Sequence, residues 1–314
     1  MGRMFFEGPE KKVELAVARG SRSLRGLGDE FWGAVVEAAG AKVLSKSRSE
    51  ELDAYLLSES SLFVADGWLT MITCGRTDLV GAIERILSKV RLAEVQYLIY
   101  ERKNAHFQEY QPSNFYDDAR RLGGRMPGKA FRFGDGDDHH VFVFHLDRPY
   151  TPDAEDFTLE ILMHGIDPAA SRIFMQGPGR TKGFIRERSG AWALLPGFTV
   201  DDHLFEPMGY SLNALRGSRY YTLHVTPQKG SSYVSFETNC LDDTEGTLAR
   251  VLDLFRPHAC DILLFSPAGR SKRVRCPYSS KRAVRQTLGC GYTVSFEHHF
   301  KPRARPMPAF EIAL

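Results

Sequence analysis

Apolar and polar residues alternate in short runs along most of the chain, which predicts a protein built mainly of β-strands. β-branched and aromatic residues fill these runs, and turn residues separate them. The predicted strands are residues 13–18, 55–64, 68–74, 95–100, 140–146, 157–163, 220–225, 233–237, 261–265 and 292–300. Amphipathic helices, with apolar residues three and four positions apart, are predicted at 29–41, 78–90 and 244–255.

The order of these elements repeats along the chain. WLTMITCGRTDLVGAIERIL (68–87) gives a strand, a polar turn and an amphipathic helix, and SSYVSFETNCLDDTEGTLARVLDLF (231–255) gives the same order about 160 residues later. An antiparallel sheet with one apolar face needs a covering layer. We therefore expect an internally duplicated α+β fold, in which two antiparallel sheets face each other and helices lie outside.

The composition is that of an ordinary globular protein of 314 residues, with 43% hydrophobic and 25% charged residues. A formal net charge of +2 gives no field that would attract nucleic acid. No run of about 18 apolar residues suggests a membrane span, and the first residues lack the apolar stretch of a signal peptide. The five cysteines form no CxxC pair, which predicts no metal site and a reducing, cytoplasmic location.

The stretch LSESSLFV (57–64) raises a chemical question, because it places a Glu-Ser-Ser step at the mouth of a buried strand. A buried hydroxyl costs free energy unless it is paired, so either the surroundings satisfy these serines or one of them reacts. A serine that attacks its own preceding carbonyl converts the amide to an ester. Removal of the serine α-proton then breaks the chain by elimination, and the residue left behind hydrolyses to a pyruvoyl group, a ketone electrophile.

Such chemistry needs a base and a group that stabilises the tetrahedral oxyanion. His224 alternates with apolar residues in YTLHVT, and Ser211 lies in GYSLN, so both are candidates. Taken singly, a strand histidine and a turn serine are more typical of structural roles.

Six motifs in order and spacing connect these residues to a known family: FFEGPEKKVEL (5–15), LSESSLFV, TCGRT (73–77), FTLEILM (157–163), FEPMGYSLNALRGS (205–218), and HVTP with SYVSFETN (within 224–239). With them the chain resembles the eukaryotic-type S-adenosylmethionine decarboxylase proenzyme from about residue 5 to residue 300. The resemblance implies one domain over 1–314 with a four-layer αββα sandwich, which agrees with the suspected duplication.

The resemblance also implies self-cleavage between Glu59 and Ser60, giving a β chain of residues 1–59 and an α chain of residues 60–314. Ser60 would become the covalent pyruvoyl cofactor, which forms a Schiff base with the substrate amine and needs no metal. His224 would take the Ser60 α-proton during processing, and Ser211 would hold the ester intermediate.

Further positions match the substrate site of the family. Cys74 matches the proton donor to the product carbon after CO2 leaves. The implied contacts to S-adenosylmethionine are Phe6 and Phe205, which would stack on adenine and face its sulfonium charge, together with Glu7, Leu57 and Gln228. Glu10 matches a carboxylate between the active site and an effector site. The product would be the aminopropyl donor of spermidine and spermine synthesis.

One departure concerns the substrate. The family has a glutamate where this chain has Gln228, so a charge-assisted pair with the ribose hydroxyls is lost, at a cost of about 1 to 2 kcal/mol. A decarboxylase of ornithine or arginine would not need that carboxylate, and this alternative stays open. A regulatory paralogue that no longer cleaves itself is the other alternative, although the residues of the cleavage step are all present.

A second departure concerns putrescine, a diamine that activates animal members of the family. The matching pocket residues are Glu14, Arg102, Asp156, Thr158, Glu160 and Glu237. However, Ile72 replaces a lysine and Glu101 replaces a serine, which makes the expected pocket more acidic by two charges. Buried carboxylates cannot all remain ionised without a partner. The sequence leaves open whether putrescine is required, and it also leaves a homodimer open.

Overall fold

The computed structural model describes residues 8, 10–105, 107–175, 177, 179–228 and 230–302. The strands are β1 Lys11–Val17, β2 Val43–Arg48, β3 Asp53–Leu57, β4 Ser60–Val64, β5 Trp68–Thr73, β6 Val95–Lys103, β7 Gly128–Gly134, β8 His140–Leu146, β9 Thr158–His164, β10 Thr199–Leu204, β11 Tyr210–Arg216, β12 Arg219–Thr226, β13 Tyr233–Thr238, β14 Ala259–Pro267, β15 Ser279–Thr287 and β16 Tyr292–Phe300. The α-helices are α1 Asp29–Ala38, α2 Leu79–Leu87, α3 Phe115–Gly123, α4 Pro168–Ile173, α5 Lys182–Ser189 and α6 Thr244–Phe255.

The strands form two antiparallel sheets of eight strands each. The first sheet has the order β2-β3-β4-β5-β1-β6-β8-β7, and the second has the order β10-β11-β12-β13-β9-β14-β16-β15. Adding eight to each strand number of the first sheet gives the second sheet. The predicted duplication is therefore confirmed, and β5 followed by α2 corresponds to β13 followed by α6.

Each sheet packs its outer face against helices and its inner face against the other sheet. Trp32 and Val35 of α1 and Ile83 of α2 lie in one core cluster with the outer face of the first sheet. Helices α4 to α6 cover the second sheet in the same way. Between the sheets, apolar residues such as Val143, Leu162 and Phe296 form a third cluster. This arrangement confirms the predicted αββα sandwich.

Five strands are absent from the prediction. One of them, β11, lies inside the second sheet, where Ser211 was interpreted as a turn serine, and the other four share a location. Strands β2, β7, β10 and β15 are the four edge strands, and β15 is mostly exposed along its length. Edge strands commonly carry charged residues that discourage pairing with other chains, so they lack the apolar alternation of buried strands. The predicted strand 55–64 is a hairpin, because Ser58 and Glu59 form a turn between β3 and β4.

Helices α3, α4 and α5 were also absent from the prediction. Each is short, and α3 and α5 are largely polar. All three are capped at the N-terminus, where the side chains of Asn114, Asp167 and Thr181 accept hydrogen bonds from main-chain N–H groups of the first turn. Within the described residues, none of the helices has the length and apolar character needed to cross a membrane.

Candidate active site

The β3–β4 hairpin presents Ser60 in an unusual state. Ser60 has a φ of 134°, a region that non-glycine residues avoid at a cost of about 1 to 3 kcal/mol. Its side chain is 1% exposed, and its Oγ has no hydrogen-bond partner among the described residues. An unpaired, buried hydroxyl on a strained main chain combines two unfavourable features, and both lie at the Glu59–Ser60 bond.

The carbonyl group of that bond is held by Cys74 at the end of β5. The Cys74 main-chain N–H donates to Glu59 O at 2.9 Å, and the Cys74 thiol lies 3.5 Å from the same oxygen. Hydrogen-bond donors aimed at a carbonyl oxygen stabilise the negative charge that develops when a nucleophile attacks its carbon. Burial, and then the neighbouring Glu59 and Glu10, raise the pKa of the Cys74 thiol well above its usual value, so the thiol keeps its proton.

Strands β11 and β12 place a base in the same region. Ser211 and His224 are direct cross-strand neighbours, and Ser211 Oγ lies 2.9 Å from His224 Nδ1. On the other side of the ring, His224 Nε2 lies 2.9 Å from Thr222 Oγ1 and 3.2 Å from Ser61 Oγ. Burial lowers the pKa of His224 to about 3, so the imidazole is neutral at physiological pH.

The surrounding hydrogen bonds select one tautomer of His224. Ser61 donates to Asn213 Oδ1 at 2.5 Å, and Thr222 donates to Leu212 O or Asn213 Oδ1, each at 3.0 Å. Both hydroxyls have thereby used their protons, so toward the ring they can only accept. From these directions we infer that Nε2 carries the hydrogen and that the lone pair of Nδ1 accepts from the Ser211 hydroxyl.

These groups line one cavity of about 570 Å3. Its wall contains Glu59, Ser60, Cys74, Ser211 and His224, and also Phe205, Met208 and Gln228. The structure thus brings together the predicted cleavage, processing and proton-donor residues with the predicted Phe205 and Gln228 contacts. Burial raises the pKa of Glu59 to about 7, while Lys11 opposes this shift.

Some predicted substrate contacts fall elsewhere. Phe6 and Glu7 lie outside the described residues. Leu57 is fully buried in the core cluster between the first sheet and its helices, because its side chain points to the outer face of the hairpin. The structure does not place the Leu57 side chain in the cavity, so only its main chain remains available for a contact with substrate.

A second group of ionisable residues is buried between the sheets. Lys12 Nζ lies 3.0 Å from Glu14 Oε1 and 3.1 Å from Glu237 Oε2, and it also hydrogen-bonds to Glu160. Burial opposes the positive charge, but the three carboxylates outweigh it and raise the pKa of Lys12 well above its usual value. We call Lys12 with Glu10, Glu14, Glu101, Glu160 and Glu237 the acidic cluster.

Four carboxyl groups of the acidic cluster, those of Glu10, Glu101, Glu160 and Glu237, have raised pKa values. Burial raises the pKa of Glu10 to about 8, and the nearby Glu160 and Glu237 add to the shift. Burial likewise raises the pKa of Glu101 and of Glu237 to about 7, against the attraction of Lys12. Glu10 interacts with both sites, since its carboxyl group also contributes to the raised pKa of Cys74.

The predicted diamine-site residues are only partly brought together. Glu14, Asp156 and Thr158 line a cavity of about 400 Å3, and burial raises the pKa of Asp156 to about 6. Arg102 instead pairs with Asp118 at 2.5 Å on the helix-covered side of the first sheet. Arg102 therefore cannot neutralise the acidic cluster, because neighbouring residues on a strand point to opposite faces and Glu101 takes the inner one.

Sequence reasoning missed four residues that the structure makes central: Ser61, Asn213, Thr222 and Lys12. A signal for two of them was present, since Asn213 and Thr222 each stand two positions from Ser211 and His224, on the same strand faces. Lys12 had a weaker signal, because a lysine inside an alternating strand pattern reads equally well as an exposed residue.

Comparisons with known proteins show which family the chain resembles. The family model for adenosylmethionine decarboxylase matches residues 3–300. The chain is 33% identical to an S-adenosylmethionine decarboxylase proenzyme of Xenopus laevis over 89% of this chain and 88% of that protein. It is also 33% identical to the proenzyme of that name from Dictyostelium discoideum, over 84% of this chain and 75% of that protein.

A solved structure has a similar fold. The crystal structure of the Trypanosoma brucei AdoMetDC-delta26 monomer superposes with a TM-score of 0.58 at 23% sequence identity, over 75% of this chain and 96% of that one. At this identity the likeness concerns the fold, and it supports the two-sheet sandwich described above.

Proposed function

The chain belongs to the adenosylmethionine decarboxylase family, and from this premise we propose that it is a self-cleaving proenzyme whose mature form releases CO2 from S-adenosylmethionine. The observation that carries this proposal is the state of the Glu59–Ser60 bond. Its serine hydroxyl is buried without a partner among the described residues, and its carbonyl oxygen accepts from Cys74, in the cavity that also contains His224.

The first step of processing converts an amide to an ester. Ser60 Oγ attacks the Glu59 carbonyl carbon, and the Cys74 N–H stabilises the oxyanion that forms. The C–N bond then breaks, the Ser60 nitrogen gains a proton, and Glu59 becomes esterified to the Ser60 side chain. Relief of the strained Ser60 main chain favours this step, since the atoms on either side of the old amide can then separate.

The second step breaks the chain. The Nδ1 lone pair of neutral His224 is suited to take the Ser60 α-proton, and the Glu59 carboxylate leaves as the Cα–Cβ double bond forms. Hydrolysis of the resulting dehydroalanine releases ammonia and leaves a pyruvoyl group at the new N-terminus. We infer chains of residues 1–59 and 60–314, which match the division implied by the resemblance.

In the mature enzyme the pyruvoyl group supplies a ketone that condenses with the substrate amine and accepts the electron pair freed when CO2 leaves. The chain's own residues position the substrate and move one proton. Cys74 is a protonated thiol at the cavity wall, so it can donate to the product carbon. Phe205 offers a ring face at the same cavity, and Gln228 offers an amide for the ribose hydroxyls. Phe6 and Glu7 remain predictions of the resemblance.

The substrate proposal rests on the relatives rather than on Gln228. The two relatives described above are both named for S-adenosylmethionine, and Phe205 retains an aromatic surface that ornithine or arginine would not use. A glutamine oxygen can still accept a hydrogen bond from one ribose hydroxyl. The basic amino acids are therefore the less favoured substrates.

We further propose that Lys12 takes the place of a diamine activator. Lys12 lies directly opposite Ile72 in the β1–β5 strand pair, and position 72 is where the resemblance expects a lysine. This chain therefore has its ammonium group on β1, directly opposite the expected position on β5, and there it contacts three carboxylates between the sheets. A resident cation supplies the charge that putrescine would bring, so we expect activity without diamine.

Mass spectrometry of the purified chain, followed by a CO2-release assay, tests the main proposal. We expect two chains that separate at Glu59/Ser60, a pyruvoyl mass on the larger one, and CO2 from S-adenosylmethionine. Ser60→Ala is the matched control and should remain a single chain without activity. An intact wild-type chain would contradict the proposal and favour a regulatory paralogue, whereas cleavage with CO2 from ornithine or arginine alone would mark Gln228 as the sign of a changed substrate.

A further inference from the structure

Three ligand-type side chains meet between the two sheets, outside the Ser60 cavity and the acidic cluster. His139 immediately precedes β8 of the first sheet, His164 is the last residue of β9, and Asp261 lies on the neighbouring strand β14 of the second sheet. Sequence reasoning did not predict this group, because its members are far apart in the chain and match no metal-binding motif. We call these three residues the His-His-Asp group.

The distances within this group suit a small metal ion. Asp261 Oδ2 lies 3.3 Å from His164 Nε2 and 3.5 Å from His139 Nδ1, and all three atoms lie within 4.8 Å of one another. A tetrahedral zinc ion with bonds of about 2.0 to 2.2 Å separates its ligand atoms by about 3.3 to 3.6 Å. Two of the three edges therefore already have the required length, and a small rotation of the His139 ring would shorten the third.

The ring nitrogen of His139 that faces the group is available as a metal ligand. Its Nδ1 is buried and makes no well-formed hydrogen bond to the described residues. Its ring is held between two others, at 4.3 Å from the ring of His164 and 4.5 Å from that of His298. The side chain is 25% exposed and also lines an open cleft of about 580 Å3, which gives an ion a route from solvent.

An outer partner orients the carboxylate. His298 Nδ1 lies 2.6 Å from Asp261 Oδ1, the oxygen that points away from the two other ligands. Metal-binding side chains in proteins are usually fixed by such second hydrogen bonds. Asp261 is therefore held with Oδ2 directed at His139 and His164.

A lysine now supplies the positive charge beside Asp261. Lys103 Nζ lies 3.2 Å from Asp261 Oδ2, and it also donates to His140 O at 3.1 Å and to Asn104. If a metal ion displaces the Lys103 ammonium from Asp261 Oδ2, the ammonium can still donate to His140 O and Asn104. Because the ammonium and the metal ion share one carboxylate oxygen, Lys103 competes with the ion and sets how tightly it binds.

We propose that His139, His164 and Asp261 bind a divalent transition-metal ion of the zinc type and thereby tie the β7–β8 loop of the first sheet to the second sheet. Two imidazoles and one carboxylate form the mixed nitrogen and oxygen donor set that Zn2+ and Co2+ accept. Three protein ligands leave one position for solvent from the cleft. The bound ion stabilises the contact between the two sheets without entering the decarboxylation chemistry.

Titration of the tag-free full-length chain with Co2+ tests this site, since four-coordinate Co2+ absorbs visible light. We expect one equivalent to bind with visible bands that Zn2+ displaces, and a melting temperature that rises with either ion. His139→Ala should weaken binding at least about tenfold, while His140→Ala, which removes the adjacent imidazole from outside the group, should not. Neither readout depends on self-cleavage, so the result is independent of the proposed function.

A second variant tests the site even if the His139 substitution disturbs the β7–β8 loop. Lys103→Met removes the competing ammonium, so we expect it to bind Co2+ more tightly than the wild type, again by at least about tenfold. Absence of visible bands in the wild type, equal affinity of His139→Ala and His140→Ala, or unchanged affinity of Lys103→Met would each overturn the proposal.

Discussion

At the scale of single residues, the candidate active site has two adjacent serines, and among the described residues only one of them has hydrogen-bond partners for its hydroxyl. Ser60 Oγ has no partner among the described residues, whereas Ser61 beside it donates to Asn213 and contacts His224. The two serines of the Glu-Ser-Ser step therefore differ in how their buried hydroxyls are accommodated. One is satisfied by its surroundings, and the other is available for reaction.

His224→Ala should stop processing after the ester has formed. The variant lacks the neutral imidazole that we propose as the acceptor of the Ser60 α-proton, and loss of such a base slows proton transfer by about 10²- to 10⁴-fold. We expect a single chain on a gentle denaturing gel that hydroxylamine splits into two, because hydroxylamine cleaves esters. His140→Ala, in the other sheet, is the control and should cleave normally. Full spontaneous cleavage of His224→Ala would rule out this role.

At the scale of elements, strands β11 and β12 position His224, the candidate base, together with the residues that set its tautomer. The β11–β12 register sets Ser211 opposite His224 and Asn213 opposite Thr222, and the strand period of two keeps all four on one face. The β3–β4 hairpin of the other sheet adds Ser61 and Ser60. The candidate active site therefore forms where one hairpin from each half of the duplicated fold meets the other, and neither half contains it alone.

Thr222→Val should slow self-cleavage without unfolding the protein. Valine has nearly the same shape but cannot accept the hydrogen bond from His224 Nε2, which leaves only the longer contact to Ser61. A lost buried hydrogen bond of about 1 to 2 kcal/mol corresponds to roughly 5- to 30-fold slower processing. Time-resolved gels of freshly synthesised chain measure the rate, and Thr222→Ser should restore it. Equal rates for the two variants would argue against the tautomer assignment.

At the scale of the whole molecule, the two sheets enclose charge as well as apolar surface. Lys12 and its carboxylates lie between strands of both sheets, and Tyr220 also donates to Glu237 at 2.5 Å. A buried charge is tolerated only when it is paired. The stability of the contact between the two halves therefore depends on the charge of Lys12 and on how many carboxyl groups of the cluster carry protons.

Removal of the resident cation tests the Lys12 proposal. Lys12→Met leaves buried carboxylates without their partner, so we expect a loss of about 3 to 5 kcal/mol in the free energy of unfolding and lower activity. Millimolar putrescine should recover part of both in the variant and change the wild type little. Lys129→Met, an exposed lysine of an edge strand, should behave as wild type. Strong activation of the wild type by putrescine would contradict the proposal.

The acidic cluster should also make stability fall as the pH rises. Glu10, Glu101 and Glu237 have folded-state pKa values of about 8, 7 and 7, above those of an unfolded glutamate, so the folded chain binds more protons between those limits. Their contribution is fully present below about pH 4.5 and is lost as the pH rises through 7 to 8.

Glu101→Gln isolates one such group. The variant should lose up to about 1.4 kcal/mol per pH unit from the slope of unfolding free energy against pH between 5 and 7. Glu187→Gln, at an exposed helix position, should leave the slope unchanged. Chemical denaturation across this range measures both, and identical slopes in the two variants would show that Glu101 titrates normally in the folded chain.

The sequence by itself determined the class of fold and named most of the residues for which we propose a chemical role. The β-branched and aromatic runs of the inner strands were strong enough to predict the sandwich and its duplication, because strands buried on both faces are rich in such residues. Ser60, Cys74, Ser211 and His224 lie in contiguous motifs, and the comparisons confirm the family to which those motifs belong.

Only the tertiary structure decided which groups face each other across the two sheets. The edge strands were not predicted because they are not buried on both faces. Arg102 lies on the face of its strand away from the acidic cluster, whereas Lys12 lies within the cluster. The His224 tautomer and the His-His-Asp group depend on contacts between residues distant in the chain, such as Ser61 with Asn213 and His139 with Asp261. A local pattern records which face a side chain takes, but its partners are set by how the two sheets pack.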